Sequence, residues 1–189
     1  MGQLKFGQGL LIVCCIFYLI WWAVAFHPSQ GDGHTAGKNG ILLIITAVFG
    51  LAGLAMTMLG IINKPPANGF ATRTGLVSGI TIIAVGVIAY VVLLLGSKVL
   101  LHRMVTSELF LIVGWTMLEI AAINRAFTKS GVSYQNAKLF IAIVAVAAVL
   151  SLFFYLQYYR VKPMTGYIFG MIPLVTEAST MVVFELIVR

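Results

Sequence analysis

Two acidic residues, Glu119 and Glu177, lie near the centres of long apolar segments of this sequence. An ionised carboxylate at the centre of a bilayer costs at least about 2.5 kcal/mol, so such residues face the interior of a helix bundle. We expect the two carboxyls to handle a proton or a cation, or to recognise a polar substrate. The alternative is that each is a neutral carboxyl that holds two helices together by a hydrogen bond.

A proline and three hydroxyl residues surround Glu177 in the sequence. Pro173 lies one helical turn earlier, where it removes the helical hydrogen bond to the carbonyl of Phe169 and kinks the helix. The freed carbonyl and the neighbouring hydroxyls predict a polar pocket beside the carboxyl, as at the broken helices of transporters. The hydroxyls are those of Thr176, Ser179 and Thr180. The alternative is a plain kink whose hydroxyls bond back to their own helix.

Three further candidate site residues accompany Glu119. Trp115 lies one turn earlier on the same helical face, and its ring could form a wall for an organic or cationic ligand. Asn124 and Arg125 follow one to two turns later, and Arg125 could pair with an acidic side chain or bind an anionic group. The alternatives are that Trp115 is a packing residue and that Arg125 extends toward lipid headgroups.

The composition requires that these residues be positioned by membrane-spanning elements. Of the 189 residues, 61% are hydrophobic and only 9% are charged, and the mean hydropathy is +1.05. A soluble domain of this length carries about 25% charged residues, so too few charges remain here to cover a water-exposed surface. The net charge of +7 is therefore assigned to loops and helix ends that contact lipid headgroups, and not to nucleic-acid binding.

Six segments are long and apolar enough to cross a bilayer, which takes about 20 residues. They are residues 9–26, 40–62, 75–96, 107–127, 137–159 and 165–188. Because these segments are continuously apolar and do not alternate like barrel strands, they predict helices. The connections are too short to hold a soluble domain. We therefore predict one all-α membrane domain of six transmembrane helices over residues 1–189.

The distribution of basic residues predicts that both termini are cytoplasmic, since the cytoplasmic side carries the larger count. The side of the termini holds seven, which are Lys5, Lys64, Arg73, Arg125, Lys129, Lys138 and Arg189. The opposite side holds five, which are Lys38, Lys98, Arg103, Arg160 and Lys162. Five aromatic residues near that opposite side are expected to act as interfacial anchors. These are Trp21, Trp22, Tyr155, Tyr158 and Tyr159.

A short pattern recurs in the two halves of the chain. TGxxxG begins at Thr74, where the third span opens, and again at Thr165, where the sixth span opens. The pair Lys64-Pro65 likewise recurs as Lys162-Pro163. These matches favour two inverted three-helix repeats, which in secondary transporters enclose the substrate site. The alternative is that small residues recur because they allow membrane helices to approach closely.

The sequence predicts no cofactor and no metal site. Three histidines and two acids fall on one face, namely His27, His34, His102, Asp32 and Glu108. Three histidines with a carboxylate could bind zinc, but no ligand spacing supports it. A pH-responsive outer gate and ordinary interfacial histidines are the alternatives. The adjacent Cys14 and Cys15 lack a CxxC pair, so we expect small apolar side chains and no thiol–disulfide chemistry.

These features favour the passage or capture of a small solute or ion, with Glu177 and Glu119 as the polar centre and Pro173 as the break that opens the site. The expected partners are membrane lipids and the solute or ion itself, and the chain could form a homo-oligomer. Two alternatives stay open. One is an intramembrane enzyme that acts on a lipid or other apolar substrate with the two glutamates as an acid/base pair. The other is a non-catalytic subunit of a larger membrane complex.

Overall fold

The structure is a computed structural model that describes residues 1–27, 40–62, 79–102, 107–129 and 131–188, and these residues form six α-helices and no strand. The helices are α1 (Gly2–Ala25), α2 (Gly40–Ile62), α3 (Gly79–Leu101), α4 (Ser107–Lys129), α5 (Tyr134–Tyr158) and α6 (Pro163–Ile187). All six are long and apolar enough to cross a membrane. The predicted all-α, multi-pass membrane protein is therefore confirmed.

The helix boundaries follow local sequence signals. α1 begins at Gly2, earlier than the apolar segment that starts at residue 9, and the predicted start of the third span at residue 75 lies outside the described residues. At the start of α5 the Ser133 hydroxyl accepts a hydrogen bond of 3.1 Å from the backbone N–H of Asn136, which caps the helix. α6 opens with Pro163, whose missing N–H is not needed at a first helical position.

Four helices form the centre of the bundle and two lie at its edge. α5 packs along α6, and both contact α4 or α1. α2 packs mainly against α1, and α3 packs against α4. The outer faces of α2 and α3 are covered by exposed apolar side chains, including Leu51 at 70% and Val99 at 74% exposure. These faces are suited to lipid tails, which are as apolar as leucine.

Glycines allow α1 and α2 to approach closely. A Cβ added at Gly7 would lie 2.5 Å from the backbone nitrogen of Thr57, and one added at Gly53 would lie 2.9 Å from that of Leu11. Real Cβ atoms do not make contacts this short, so a side chain at either position would push the two backbones apart. Close approach through small residues is a main source of helix association in lipid, where the hydrophobic effect does not act between helices.

The helix pairing differs between the two halves of the chain. α5 and α6 share one of the most extensive interfaces of the bundle, whereas the described parts of α2 and α3 share little or no contact. α3 lies instead on α4, where Gly86 is covered by the Met117 side chain. The inverted repeat therefore stays a prediction from the sequence that the helix pairing does not support.

The half of the bundle that holds the chain termini is tightly packed. Its core brings together Leu4 of α1, Ile123 of α4, Phe140 of α5 and Phe184 of α6, all fully buried. The Phe140 and Phe184 rings meet edge to face with centroids 5.7 Å apart. Such packing fills this end of the bundle with apolar side chains from four helices.

Candidate functional site

A cavity of about 540 Å³ lies between α1, α4, α5 and α6, in the half of the bundle away from the chain termini. Sixteen residues of the described part of the chain line it, and they are Cys14, Cys15, Tyr18, Trp22, Phe26, Glu108, Leu111, Ile112, Trp115, Tyr155, Tyr158, Tyr159, Gly170, Pro173, Leu174 and Glu177. On each helix they are spaced mainly three or four apart, so one face of each helix lines the cavity. The volume suits a drug-sized ligand.

Glu177 lies at the inner end of this cavity, near the middle of α6. Pro173 and Gly170 line the wall one and two turns closer to the opening. From Cys14 to Phe26 the cavity follows α1 for about 18 Å, at 1.5 Å per residue. The cavity therefore extends from the mid-membrane carboxyl toward the end of the bundle where α1 ends and α4 begins.

The Glu177 carboxyl is available to a ligand. The Thr180 hydroxyl donates a hydrogen bond of 2.7 Å to the backbone carbonyl of Glu177. The Glu177 carboxyl itself has no hydrogen bond with a described residue. Trp115 lines the same cavity from α4, and its buried indole N–H has no acceptor in the described part of the chain. Both residues also line a neighbouring space of about 10 Å³, which suits one water molecule. Trp115 and Glu177 therefore separate the large cavity from the small one, and their indole N–H and carboxyl groups lack hydrogen-bond partners among the described residues.

The hydroxyl residues near Glu177 bond mainly to the backbone of their own helix. Thr176 donates to the carbonyl of Pro173 at 2.7 Å, Ser179 donates to the carbonyl of Val175 at 2.7 Å, and Thr180 bonds to Glu177 as described. None of the three hydroxyl residues lines the large cavity, although Thr180 lines the small one. The alternative of back-bonded hydroxyls thus describes this region better than a pocket of hydroxyl ligands.

Thr176 has a second role, because it connects α6 to α5. Its hydroxyl lies 2.7 Å from the Ser151 hydroxyl, and Ser151 is buried. We expect Ser151→Ala and Thr176→Val to be coupled in a double-mutant cycle by about 0.6 kcal/mol, and by no more than about 1.7 kcal/mol, which is the range for hydrogen bonds between membrane helices. Thermal unfolding of the two single variants and the double variant in detergent measures the coupling. Strictly additive losses would show that this contact does not stabilise the α5–α6 interface.

Glu119 is fully buried and lines neither cavity. Gln8 of α1 is also fully buried and interacts with the Glu119 carboxyl, yet neither side chain has a hydrogen bond of adequate geometry with any described residue. Glu119 also interacts electrostatically with Glu177 and with Glu185. The two mid-membrane carboxyls are thus near one another, but only Glu177 reaches the cavity.

Asn124 and Arg125 lie apart from the cavity. Both are half-buried in the last turns of α4, toward the packed end of the bundle. The Nε atom and one terminal nitrogen of Arg125 are buried without a partner among the described residues. Of the predicted site residues, the structure therefore brings together Glu177, Trp115 and Pro173, with Thr180 beside them.

Aromatic rings form much of the cavity wall. A series of ring contacts runs from Phe26 to Trp22 at 4.5 Å, then to Tyr158 at 6.1 Å, Tyr159 at 5.0 Å and Tyr155 at 5.3 Å between centroids. Trp22 also packs over Gly170 and donates its indole N–H to the carbonyl of Tyr167 at 3.2 Å. The wall is thereby continuous from α1 across to α5.

The sequence predicted that five aromatic residues near the helix ends are lipid anchors, and this prediction is wrong for Trp21 and Tyr155. Trp21 is 7% exposed and Tyr155 is 8% exposed. Trp21 is covered by the Tyr18 and Phe26 rings, and Tyr155 packs against Leu109 and Ile112 of α4. Position near a helix end is compatible with either a lipid anchor or a cavity wall, and the sequence alone did not distinguish them.

Glu108 lies in the first turn of α4, at the opening of the cavity. Its carboxyl interacts with the Tyr155 hydroxyl, which is also hydrogen-bonded to the Tyr159 hydroxyl. Sequence reasoning assigned no solute-binding role to Tyr18, to the two cysteines or to Glu108, which it considered only as a possible zinc ligand. A signal was present, since aromatic residues 18, 22 and 26 recur every four positions and so share one face of α1.

The structure gives partial information on the histidines. His27 and His102 are exposed at the ends of α1 and α3, on the side of the bundle where the cavity opens. The His27 ring lies 5.6 Å from that of Tyr167. His34 and Asp32 lie outside the described residues. No cluster of three metal-binding side chains occurs within the described ranges.

Comparison of the chain with known protein families, with curated proteins and with solved structures gives no match, so its function is argued from the cavity and its carboxylates.

Proposed function

We propose that this protein binds a small solute in the cavity between α1, α4, α5 and α6 and carries it across the membrane or holds it there, with Glu177 as the polar centre. The observation that carries the proposal is a cavity of about 540 Å³ that ends at a mid-membrane carboxyl without a hydrogen-bond partner among the described residues. A carboxyl at this depth is costly unless a partner compensates for its lost hydration. A bound solute is the partner that this arrangement lacks.

The packing beyond Glu177 favours a carrier or a receptor over an open pore. Leu11, Cys15 and Met181 form a buried cluster there, and Leu118 and Ala178 pack against it. A solute at Glu177 can continue only if these helices separate, as in alternating access. Pro173 provides a place where α6 lacks a backbone hydrogen bond and can bend.

The distribution of basic residues supports an orientation with both termini in the cytoplasm. In that orientation Phe26 and Glu108, which lie at the opening of the cavity, are on the side away from the cytoplasm. The solute then enters the cavity from that side and reaches Glu177 halfway through the membrane.

The two other readings have less support. An acid/base pair requires both carboxyls in one chamber, whereas Glu119 lines neither cavity. A subunit of a larger complex would be expected to leave a glycine-rich helix face uncovered, but Gly7 and Gly53 are covered within the chain by α2 and α1.

Thiol modification tests the proposal, because the two cysteines of the chain both line the cavity. We expect N-ethylmaleimide to modify the half-buried Cys14 in the folded protein, with a rate measured by mass spectrometry. Three soluble benzyl compounds of similar size serve as probes: benzyltrimethylammonium, N-benzylacetamide and phenylmethanesulfonate. At least one of them is expected to slow the modification, and its uptake into proteoliposomes is expected to fall at least about tenfold after modification, as for a filled site.

The matched control is the double variant Cys14→Ala/Cys15→Ala. Its uptake of the same compound should be unaffected by N-ethylmaleimide. Absence of protection by all three probes would contradict a solute site in this cavity. Protection with equal uptake by modified and unmodified protein would contradict passage of the solute and leave its capture.

A further inference from the structure

We infer that the solute is an organic cation with an apolar body, such as an aryl or alkyl ammonium, held between aromatic ring faces and the carboxylates of Glu177 and Glu108. This inference rests on the proposed function and adds the chemical class of the ligand.

The first argument is the aromatic content of the wall. Seven of the sixteen lining residues are aromatic, and they are Tyr18, Trp22, Phe26, Trp115, Tyr155, Tyr158 and Tyr159. Aromatic ring faces carry negative electrostatic potential and attract a cation within about 6 Å, most strongly at tryptophan and where water is excluded. Quaternary and alkylated ammonium groups are the ligands that such aromatic cages recognise.

The second argument is the sign of the charge. Of the described residues that line the cavity, two are acidic and none is basic, in a chain whose net charge is +7. An anionic solute would meet like charge on Glu177 and Glu108. A neutral solute would leave the Glu177 carboxylate without a partner among the described residues, which is costly away from water. An organic cation compensates for these charges and also covers the apolar wall.

The third argument excludes a bare metal ion as the natural occupant. Hard cations such as Ca²⁺ require about six to eight oxygen ligands at close distance. The hydroxyls nearest Glu177 are instead bonded to backbone carbonyls, as Thr176 and Thr180 show. The remaining wall at this depth is apolar, including Ile112 and Leu174. A large, weakly hydrated cation fits a cavity of this volume and lining better.

The two carboxylates have separate positions along the cavity. Glu108 lies at the opening and Trp115 lies seven residues further along α4, at the level of Glu177, a separation of about 10 Å at 1.5 Å per residue. Acidic groups at the entrance of a cleft raise the local concentration of a cation. Glu108 therefore attracts the cation, and Glu177 with Trp115 binds it at mid-membrane.

The charge series tests the ligand class in the purified, folded protein. Benzyltrimethylammonium is expected to protect Cys14 from N-ethylmaleimide at concentrations at least about tenfold below those of N-benzylacetamide, as for a cation among aromatic rings and a carboxylate. Phenylmethanesulfonate should give no protection. Equal or better protection by the neutral or the anionic probe overturns the cation assignment while a solute site stands. Failure of all three probes overturns the proposed function itself.

Replacing Glu177 identifies the residue that confers the preference. Glu177→Gln should weaken the binding of benzyltrimethylammonium, measured by protection of Cys14, at least about tenfold. The binding of N-benzylacetamide should be unchanged, because only the charge pair is lost. The control Glu185→Gln removes a carboxyl on the same helix that does not line the cavity, and it should bind both probes as the unmodified chain does. If Glu177→Gln does not fold, Glu108→Gln provides the second test. It should weaken the binding of benzyltrimethylammonium severalfold. An unchanged preference for the cation in the folded variant overturns the inference.

Discussion

Replacing Gly53 with leucine is expected to separate α1 from α2 and to abolish the stable bundle. A Cβ at Gly53 would already lie 2.9 Å from the backbone nitrogen of Leu11 and 3.0 Å from the carbonyl oxygen of Gly7. Overpacking that flexible side chains can absorb costs about 1–3 kcal/mol. Here the obstacle is a helix backbone, which cannot move aside locally, so the loss for leucine should exceed that range. Thermal unfolding in detergent, followed by circular dichroism, measures it.

Graded and matched variants separate the effect of close approach from that of losing a glycine. Gly53→Ala should destabilise the protein by about 1–3 kcal/mol. Gly114→Ala, in α4, adds the same methyl group at a position with nothing within 4 Å of the new Cβ, and it should be neutral or slightly stabilising because alanine favours helix. Equal unfolding temperatures for the two alanine variants would contradict the conclusion that close backbone contact at Gly53 holds α1 against α2.

The close contact between α1 and α2 also affects the proposed solute site. α1 contributes Cys14, Tyr18 and Trp22 to the cavity wall. If α1 no longer packs closely against α2, the position of α1 relative to α6 is less well defined. Variants of this close contact that still fold are therefore expected to lose protection of Cys14 by the benzyl probes, although Gly53 does not line the cavity.

The second large effect is a gain in stability. The variant Gln8→Leu/Glu119→Met removes two fully buried polar side chains that lack hydrogen-bond partners among the described residues. An unsatisfied buried polar group costs about 1–3 kcal/mol, and more when charged. Replacing such groups by apolar residues of similar volume should therefore stabilise the protein by about 2–4 kcal/mol. A rise in the unfolding temperature in detergent measures the gain.

A fall in stability would have a definite meaning. It would show that Gln8 and Glu119 bond α1 to α4, which is the structural role that sequence reasoning leaves open for Glu119. Gln8→Leu alone is the matched control, because it removes the amide and retains the carboxyl. Since Glu119 lines neither cavity, the double variant should retain protection of Cys14 by benzyltrimethylammonium.

A gain in stability would make Glu119 a residue retained at an energetic cost. Natural proteins depart from optimal packing mainly at functional sites. Glu119 interacts electrostatically with Glu177 and with Cys15. The charge state of Glu119 therefore influences the Glu177 carboxyl, which is proposed to bind the solute, although Glu119 itself does not line the cavity. The double variant is therefore expected to retain the cavity and the protection of Cys14, but to shift the concentration of benzyltrimethylammonium at which that protection occurs.

The amino-acid sequence by itself determined the class and architecture of this protein. Apolar segments of about 20 residues with few charges leave only helices, because lipid cannot satisfy exposed backbone groups. The same reasoning identified Glu119 and Glu177 as mid-membrane carboxyls, since the cost of charge at that depth is independent of the fold. It also selected Pro173 and Trp115, which the structure places with Glu177 in one cavity wall.

The tertiary structure alone decided which way each residue faces. Glu119 and Glu177 are equivalent in the sequence, yet α4 buries the first beside Gln8 and α6 turns the second into the cavity. Trp22 and Tyr155 resemble lipid anchors, yet both belong to the cavity wall. The physical reason is that apolar side chains are about equally stable against lipid tails and against a neighbouring helix. Close contacts between small residues, and not hydrophobicity, therefore decide which helix faces meet and where space for a ligand remains.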